Sequence, residues 1–184
     1  VLEVDVSNEA SCRKMVADCV AQMGRVDILV NNAGMSPLYP SLDQVTEELF
    51  DKVIGVNLKG PFRLSAIVGT RMAAGDGGSI INVSSIASER PSPAEVPYGA
   101  AKAAVNNLTR GLAATFGPKV RVNCIVPGPF LTDISKAWDL EAFNARAKSA
   151  FALGRGGEPH EIVGAALYLA SNASSYTTGA LINI

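Results

Sequence analysis

The chain has 184 residues, 48% of them hydrophobic and 18% charged, a length for one domain of ordinary size and a composition that excludes disorder. Sixteen Lys and Arg stand against seventeen Asp and Glu, a net charge of −1 without a basic block, which excludes nucleic acid and anionic membranes as electrostatic partners. No apolar run reaches the length of a membrane span and the first residues lack the order of a signal peptide, so the chain reads as a soluble protein of the cytoplasm. Cys12, Cys19 and Cys124 form no Cys-x-x-Cys pair and there is one histidine, so neither a disulfide framework nor a zinc or other metal site is suggested. The thiols read as packing groups in a reducing compartment.

In chain order, short apolar runs alternate with amphipathic stretches, the pattern of parallel strands joined by crossover helices. Val1 to Val6 is expected to open as a strand. Met15, Val16, Cys19, Val20 and Met23 then recur at helical spacing behind a cap at Ser7-Asn8. Val26 to Val30 is the next strand, ended by Asn31-Asn32-Ala33-Gly34. A long helical pattern follows from about Asp43 to Ala73, with Pro61 inside it predicting a kink or local irregularity. Gly77-Gly78 precedes a strand over Ser79 to Ser84, whose continuous apolar character fits burial on both faces. After the Pro-rich loop Ser88 to Pro97, a small-residue helix covers Tyr98 to Phe116, and Val120 to Val126 returns as a strand ending at Pro127-Gly128. The stretch from Phe130 to Gly157 is less regular and reads as an excursion from the core, with weak helical patches and the single Trp138. Pro159 opens a final helix to about Ala170, and Gly179 to Ile184 is a last strand. No internal repeat or domain linker is visible.

In an open parallel sheet, ligands bind beyond the carboxyl ends of the strands. The residues at those ends are Asp5, Asn31-Asn32-Ala33-Gly34, Ser84-Ser85 and Pro127-Gly128-Pro129. Plain turn chemistry explains each of them taken alone. Tyr98 and Lys102 stand four apart at a helix start, on one face. An ammonium so placed favours the phenolate and is expected to lower the tyrosine pKa from about 10 toward neutrality, making the phenol usable as an acid or base. Such a pair is also common on helix surfaces.

Tyr98 and Lys102 combine with Ser85 thirteen residues before the tyrosine, Asn57 in Val56-Asn57-Leu58, Asn31-Asn32-Ala33-Gly34 and Pro127-Gly128-Pro129, all in one order. In that combination the chain resembles the short-chain dehydrogenase/reductase family over essentially its whole length. The resemblance implies an α/β fold, a Rossmann-like doubly wound parallel sheet with helices on both faces. Residues 1–184 would form a single, partial NAD(P)-binding domain with a substrate-loop excursion at about 130–157.

The resemblance also implies roles. Tyr98 would be the general acid or base on the substrate oxygen, with Lys102 lowering its pKa and holding the nicotinamide ribose. Ser85 would position and polarise the carbonyl, while Ser84 should point to the opposite face of the strand. Asn57 would support a water-linked proton path to the lysine, although a satisfied structural amide fits it equally well. Asp5 and Val6 match the adenine contact, and Asn32, Ala33 and Gly34 the segment along the adenosine ribose. Pro127, Gly128, Phe130 and Thr132 match the stretch beside the nicotinamide. For Asn31, bracing the central sheet is at least as good a reading.

One departure stands at the amino terminus, where the family carries a strand and a Gly-rich pyrophosphate turn that nothing here matches. The first residues resemble the family's third strand, so the expectation is a fragment with its N-terminal strands missing. The residue that selects NAD or NADP would be among those missing, and the two cofactors are not distinguishable.

His160, Arg155, Trp138 and Phe143 keep bland readings beside functional ones: a solvated group, a loop cation, and satellite packing or a substrate lid. The leading function is hydride transfer between NAD(P) and a small-molecule carbonyl or secondary alcohol. An alternative is a non-catalytic dinucleotide-binding sensor or assembly subunit of the same fold, and a third is epimerisation or dehydration. A homo-oligomer, dimer or tetramer, built through the two long helices is implied by the resemblance.

Overall fold

The computed structural model describes residues 1–133, 135 and 138–184. The first helix, α1 (Glu9–Met23), starts where the Asn8 side chain accepts the Ser11 N–H at 3.0 Å, and it stops at Gly24, whose φ of 79° admits glycine most readily. The expected strand over Val1 to Val6 does not form. The Asp5 carboxylate there accepts the Ser7 N–H at 2.9 Å and the Ser7 hydroxyl at 2.7 Å, and the Asp5 carbonyl accepts the Asn8 N–H. This Asx turn bends the chain straight into α1 and competes with an extended ladder.

Strand β1 (Ile28–Asn31) begins two residues later than the apolar run suggests and pairs in parallel with β2 (Gly78–Val83) from Ile28 opposite Ser79 to Asn31 opposite Asn82. The long helical pattern between them is broken. It comprises a 3₁₀ turn Leu42–Gln44, helix α2 (Glu47–Ile54) capped by Thr46, a π turn Gly55–Lys59 and helix α3 (Gly60–Ala74). The irregularity expected from Pro61 lies one turn upstream of it. Pro61 has no N–H to give the Asn57 carbonyl, and the Gly60 N–H reaches back five residues to Gly55, widening the turn that holds Asn57.

Helix α4 (Val96–Phe116) starts two residues earlier than expected, with Pro97 in its first turn, and leads to β3 (Val120–Val126). The excursion that follows is closed at its base, where Phe130 bridges Gly157. It holds a formed helix, α5 (Leu140–Ala150), capped by Asp139, where the sequence offered only weak patches. Ile134, Lys136 and Ala137 of the excursion lie outside the described residues. The final helical stretch is a 3₁₀ turn Pro159–Ile162 running into α6 (Val163–Ala170), and the last strand is β4 (Leu181–Asn183).

The sheet is parallel throughout, in the order β1-β2-β3-β4. Alternate residues of its central strands face opposite ways. Ile80 and Val122 pack with Cys12 and Val16 of α1, Leu64, Val68 and Met72 of α3, and Leu112 of α4. Ile81 and Ile125 pack on the other face against Leu169 of α6. Helices therefore cover both faces, and each buried Val, Leu or Ile contributes about 1.5–3 kcal/mol.

A buried polar chain ties the layers together. Asn31 donates to Ser65 of α3 at 2.9 Å and to Asn82 of β2 at 2.8 Å; Asn82 donates to Thr109 of α4 at 2.9 Å, and Thr109 to the Val105 carbonyl. Asn31 thus takes the bracing position. No helix among the described residues is long and apolar enough to cross a membrane.

Candidate active site

Because the strands are parallel, the residues following β1, β2 and β3 emerge on one edge of the sheet. Ser84 and Ser85 leave β2 beside the start of α4. The Ser84 hydroxyl is buried and donates to the Lys102 carbonyl at 3.0 Å, whereas Ser85 faces the Tyr98 phenol and accepts the Ala87 N–H at 3.2 Å. The two serines therefore do different work, as their adjacency on an extended strand requires. The Ile86 N–H donates to the Pro127 carbonyl at 2.9 Å, which joins the exit of β2 to that of β3.

Tyr98 and Lys102 stand one turn apart on α4, with Lys102 Nζ 5.6 Å from the centroid of the Tyr98 ring. Lys102 is 3% exposed; burial lowers its pKa to about 8, and its ammonium donates to the Val83 carbonyl at 2.8 Å. The Tyr98 phenol departs from expectation. Burial raises its pKa above the ordinary value, the Ser85 hydroxyl works against that rise, and the Glu95 carboxylate adds to it. Loss of water around the half-buried phenol is the largest influence and sets the direction, and Lys102 is not among the groups that shift it.

Asn57, fully buried in the π turn, reaches across to the loop after β1. Its Nδ2 donates to the carbonyls of Met35 at 2.8 Å and Val53 at 3.0 Å, and its Oδ1 accepts the Met35 N–H at 3.2 Å. This holds Gly34 against the helix that carries the lysine. A Cβ at Gly34 would lie 3.1 Å from Asn57 Oδ1 and 3.4 Å from Lys102 Nζ, so only glycine leaves that space open. Asn57, Gly34, Lys102, Tyr98 and Ser85 are thus one constellation, assembled from four separate segments.

The other sequence-selected residues fall into two groups. Val6, Asn32 and Ala33 line one cavity of about 200 Å³ together with Gly60 and Pro61, and Val6 packs 3.1 Å from where a Gly60 Cβ would stand. Asp5 lies exposed beside it, its pKa lowered by the Ser7 hydroxyl and N–H. Pro127 and Gly128 stand at the exit of β3, where the Gly128 N–H donates to the Ile184 carbonyl at 2.7 Å. Phe130 and Thr132 lie at the base of the excursion, where the Thr132 carbonyl accepts from Ser135.

Arg155, a loop cation by sequence, is held bidentately by Glu161 at 2.6 Å and bonds the Gly156 carbonyl. Trp138, Phe143 and Phe151 form an aromatic cluster, Trp138 tilted against Phe143 at a centroid distance of 5.1 Å and Phe143 edge-on to Phe151 at 5.9 Å. Among the described residues no cluster of three or more His, Cys, Asp or Glu is placed to hold a metal ion.

Sequence reasoning missed two residues. Tyr39, in the loop after β1, accepts the Val96 N–H at 2.8 Å and donates to the Pro93 carbonyl at 2.9 Å. It caps the helix that carries Tyr98 through a contact 57 residues away in sequence, and no local pattern announces such a contact. Glu95 was hidden in a Pro-rich loop without a legible code, although its i, i+3 spacing to Tyr98 was there to be read.

Chemically, the constellation offers a phenol as proton donor, a hydroxyl beside it and a buried ammonium facing a groove floored by Gly34. A dinucleotide fits those residues. The ammonium meets one acceptor among the described residues and has donors for more, as vicinal ribose hydroxyls require, and the groove is one that a Cβ would fill.

A family profile described as Enoyl-(Acyl carrier protein) reductase matches residues 1–184. Dehydrogenase/reductase SDR family member 4 of Bos taurus is 41% identical over 168 residues, 90% of this chain, and the chain spans 60% of that relative's length. The 3-oxoacyl-[acyl-carrier-protein] reductase FabG of Chlamydia muridarum is 38% identical over 182 residues, 98% of this chain and 73% of its own length. Among solved structures, a gluconate 5-dehydrogenase from Burkholderia cenocepacia in complex with NADP and tartrate superposes with a TM-score of 0.93 at 35% identity. That alignment covers 98% of this chain and 71% of the other.

Proposed function

The chain belongs to the short-chain dehydrogenase/reductase family, and from that premise we propose that it reduces a small-molecule carbonyl with NADH or NADPH, using Tyr98 as the proton donor. The observation that carries this reading is the placement of the Tyr98 phenol between the Ser85 hydroxyl and the Lys102 ammonium at the carboxyl edge of the sheet. The cofactor supplies the hydride that goes to the carbonyl carbon.

This chain's residues do the rest. Ser85 donates a hydrogen bond to the carbonyl oxygen and holds it against the phenol, and Tyr98 passes its proton to that oxygen as negative charge develops there. Lys102 holds the ribose and stabilises the phenolate that remains. Asn57 fixes the backbone at Met35 and so the width of the groove at Gly34. Asp5, Val6, Asn32, Ala33 and Gly34 serve the adenosine end, and Pro127, Gly128, Phe130 and Thr132 the nicotinamide end. The raised Tyr98 pKa keeps the phenol protonated at neutral pH, the form that reduction needs; oxidation of an alcohol needs the phenolate and gains with rising pH.

The 184 residues form a single, partial NAD(P)-binding domain, with the excursion at about 130–157 contributing to the substrate side. Phe50 of α2 and Phe62 of α3, 43% and 52% exposed, support a homo-oligomer formed through the stretch Asp43 to Ala73 together with α4.

The test follows nicotinamide absorbance with a panel of ketones. Tyr98→Phe is expected to lower kcat/KM by roughly 10³-fold while dinucleotide affinity changes little. Retention of most of the turnover sinks the assignment of Tyr98. Dinucleotide binding without turnover by the unmodified protein favours the non-catalytic alternative.

A further inference from the structure

Ser85 is the last extended residue after β2, and the chain turns directly from it into a 3₁₀ turn, Ile86–Ser88. On either side of it the Ser84 N–H donates to the Ile125 carbonyl at 2.8 Å and the Ile86 N–H to the Pro127 carbonyl at 2.9 Å. The Ser85 hydroxyl oxygen accepts the Ala87 N–H, which leaves its proton for another acceptor. The turn is seated on α4 at the residue next to Tyr98. A Cβ at Gly99 would lie 2.9 Å from the Ala87 carbonyl oxygen, so the backbone just after Ser85 comes closer to the helix than a side chain there allows.

A directed chain of hydrogen bonds reaches this turn from further along the same helix. Tyr98, Lys102 and Asn106 recur every four residues on one face of α4. The Asn106 Nδ2 donates to the Ser88 hydroxyl at 2.9 Å, and that hydroxyl donates to the Ser85 carbonyl at 2.6 Å, which also accepts the Ser88 N–H at 2.9 Å. Asn106 is buried, with the Cys124 thiol of β3 3.8 Å from its Oδ1. Each donor in this chain has one direction, so Ser85 is held at its carbonyl from α4 and at its side chain by Ala87. Lys102 holds the Val83 carbonyl just before the two serines. The helix face that presents Tyr98 therefore also fixes the strand end that presents Ser85.

We infer that Ser88 and Asn106 are positioning residues for carbonyl reduction, holding the Ser85 hydroxyl in register with the Tyr98 phenol. This rests on the proposed reductase reading. Both act through the Ser85 backbone. Displacing that hydroxyl loosens its hydrogen bond to the carbonyl oxygen as charge develops there, so the loss falls on kcat and not on dinucleotide binding.

The test is a double-mutant cycle between Ser88 and Ser85, read both by ketone reduction and by the titration of the Tyr98 phenol. Ser88→Ala is expected to lower kcat by roughly tenfold with the dinucleotide KM unchanged, and Ser88→Thr, which keeps the hydroxyl, should restore most of it. In a Ser85→Ala background the same Ser88→Ala change should cost less than about twofold, because the group it positions is gone. Asn106→Leu removes the donor to Ser88, should lower kcat and add little to Ser88→Ala, and carries the same cycle where Ser88→Ala does not fold. The phenol titration, followed by NMR of ring-labelled tyrosine and assigned with Tyr98→Phe, should move upward in Ser88→Ala as in Ser85→Ala, and the two shifts should not add. A merely structural role lowers the unfolding free energy and leaves both couplings at zero. An equal cost of Ser88→Ala with and without the Ser85 hydroxyl, or no cost in either background, overturns the inference and leaves the reductase reading intact. Coupled titration shifts without turnover of any ketone by any variant support the positioning role and overturn the reductase reading.

Discussion

Replacing Asn57 by alanine separates a structural from a purely chemical role for the buried amide. The side chain makes three hydrogen bonds, two to the backbone of Met35 and one to the Val53 carbonyl, and is fully buried. A net contribution of about 1 kcal/mol per bond gives roughly 3 kcal/mol. The half-buried Met35 groups regain part of this from water entering the space, which leaves about 2 kcal/mol. The measurement is urea unfolding of Asn57→Ala against the unmodified protein, with amide hydrogen exchange at residues 32–35. Stability should fall by about 2 kcal/mol, and exchange should accelerate at Met35 while the centre of α4 keeps its protection. An unfolding free energy within about 0.5 kcal/mol of the unmodified protein, with unchanged exchange at Met35, refutes the argument that Asn57 fixes the groove.

Lys102 should make stability depend on pH in an unusual direction. Its folded pKa of about 8 lies below the ordinary 10.5, so between these values the unfolded chain binds more protons and stability rises with pH. In urea unfolding from pH 7 to 10 the stability of the unmodified protein relative to Lys102→Met should rise with pH, a difference that cancels the opposite contribution of Cys124, whose pKa is raised to about 11. Ser85→Ala removes the group that pulls the Tyr98 phenol down, so the alkaline fall of the reduction rate should move to higher pH, and a move to lower pH contradicts the contact. Gly34→Val places side-chain atoms against Asn57 Oδ1 and Lys102 Nζ; titration calorimetry should show dinucleotide affinity falling more than tenfold.

The fold was legible wherever one local period ran unopposed. The apolar runs Ser79 to Ser84 and Val120 to Val126 became central strands because both of their faces are covered. The helical period of Met15 to Met23 became α1 for the corresponding reason at 3.6 residues per turn. It failed where a short-range polar contact decided the matter, as at Val1 to Val6, whose apolar pattern reads as a strand and whose path is set by Asp5 and Ser7. The stretch from Asp43 to Ala73 shows a third case. Its periodicity persists through Gly55–Lys59, yet the missing N–H of Pro61 expresses itself one turn earlier as a π turn.

The site divides in the same way, and the division bears on its chemistry. Tyr98 and Lys102 were legible because four residues on a helix are one turn, and Ser85 because a strand end must lie beside the following helix. Neither spacing says what surrounds the phenol, and the surroundings set its acidity. The expectation of a lowered Tyr98 pKa considered the cation alone; burial of the ring and the charge of Glu95 reverse the sign. The charge comes from the turn before α4, which Tyr39 holds through the Pro93 carbonyl and the Val96 N–H. The candidate proton-transfer residues are therefore named by local spacing, whereas the acidity of the phenol is set by its surroundings in the fold. Exchanging Glu95 keeps every motif residue and still removes one of the influences that raise the Tyr98 pKa.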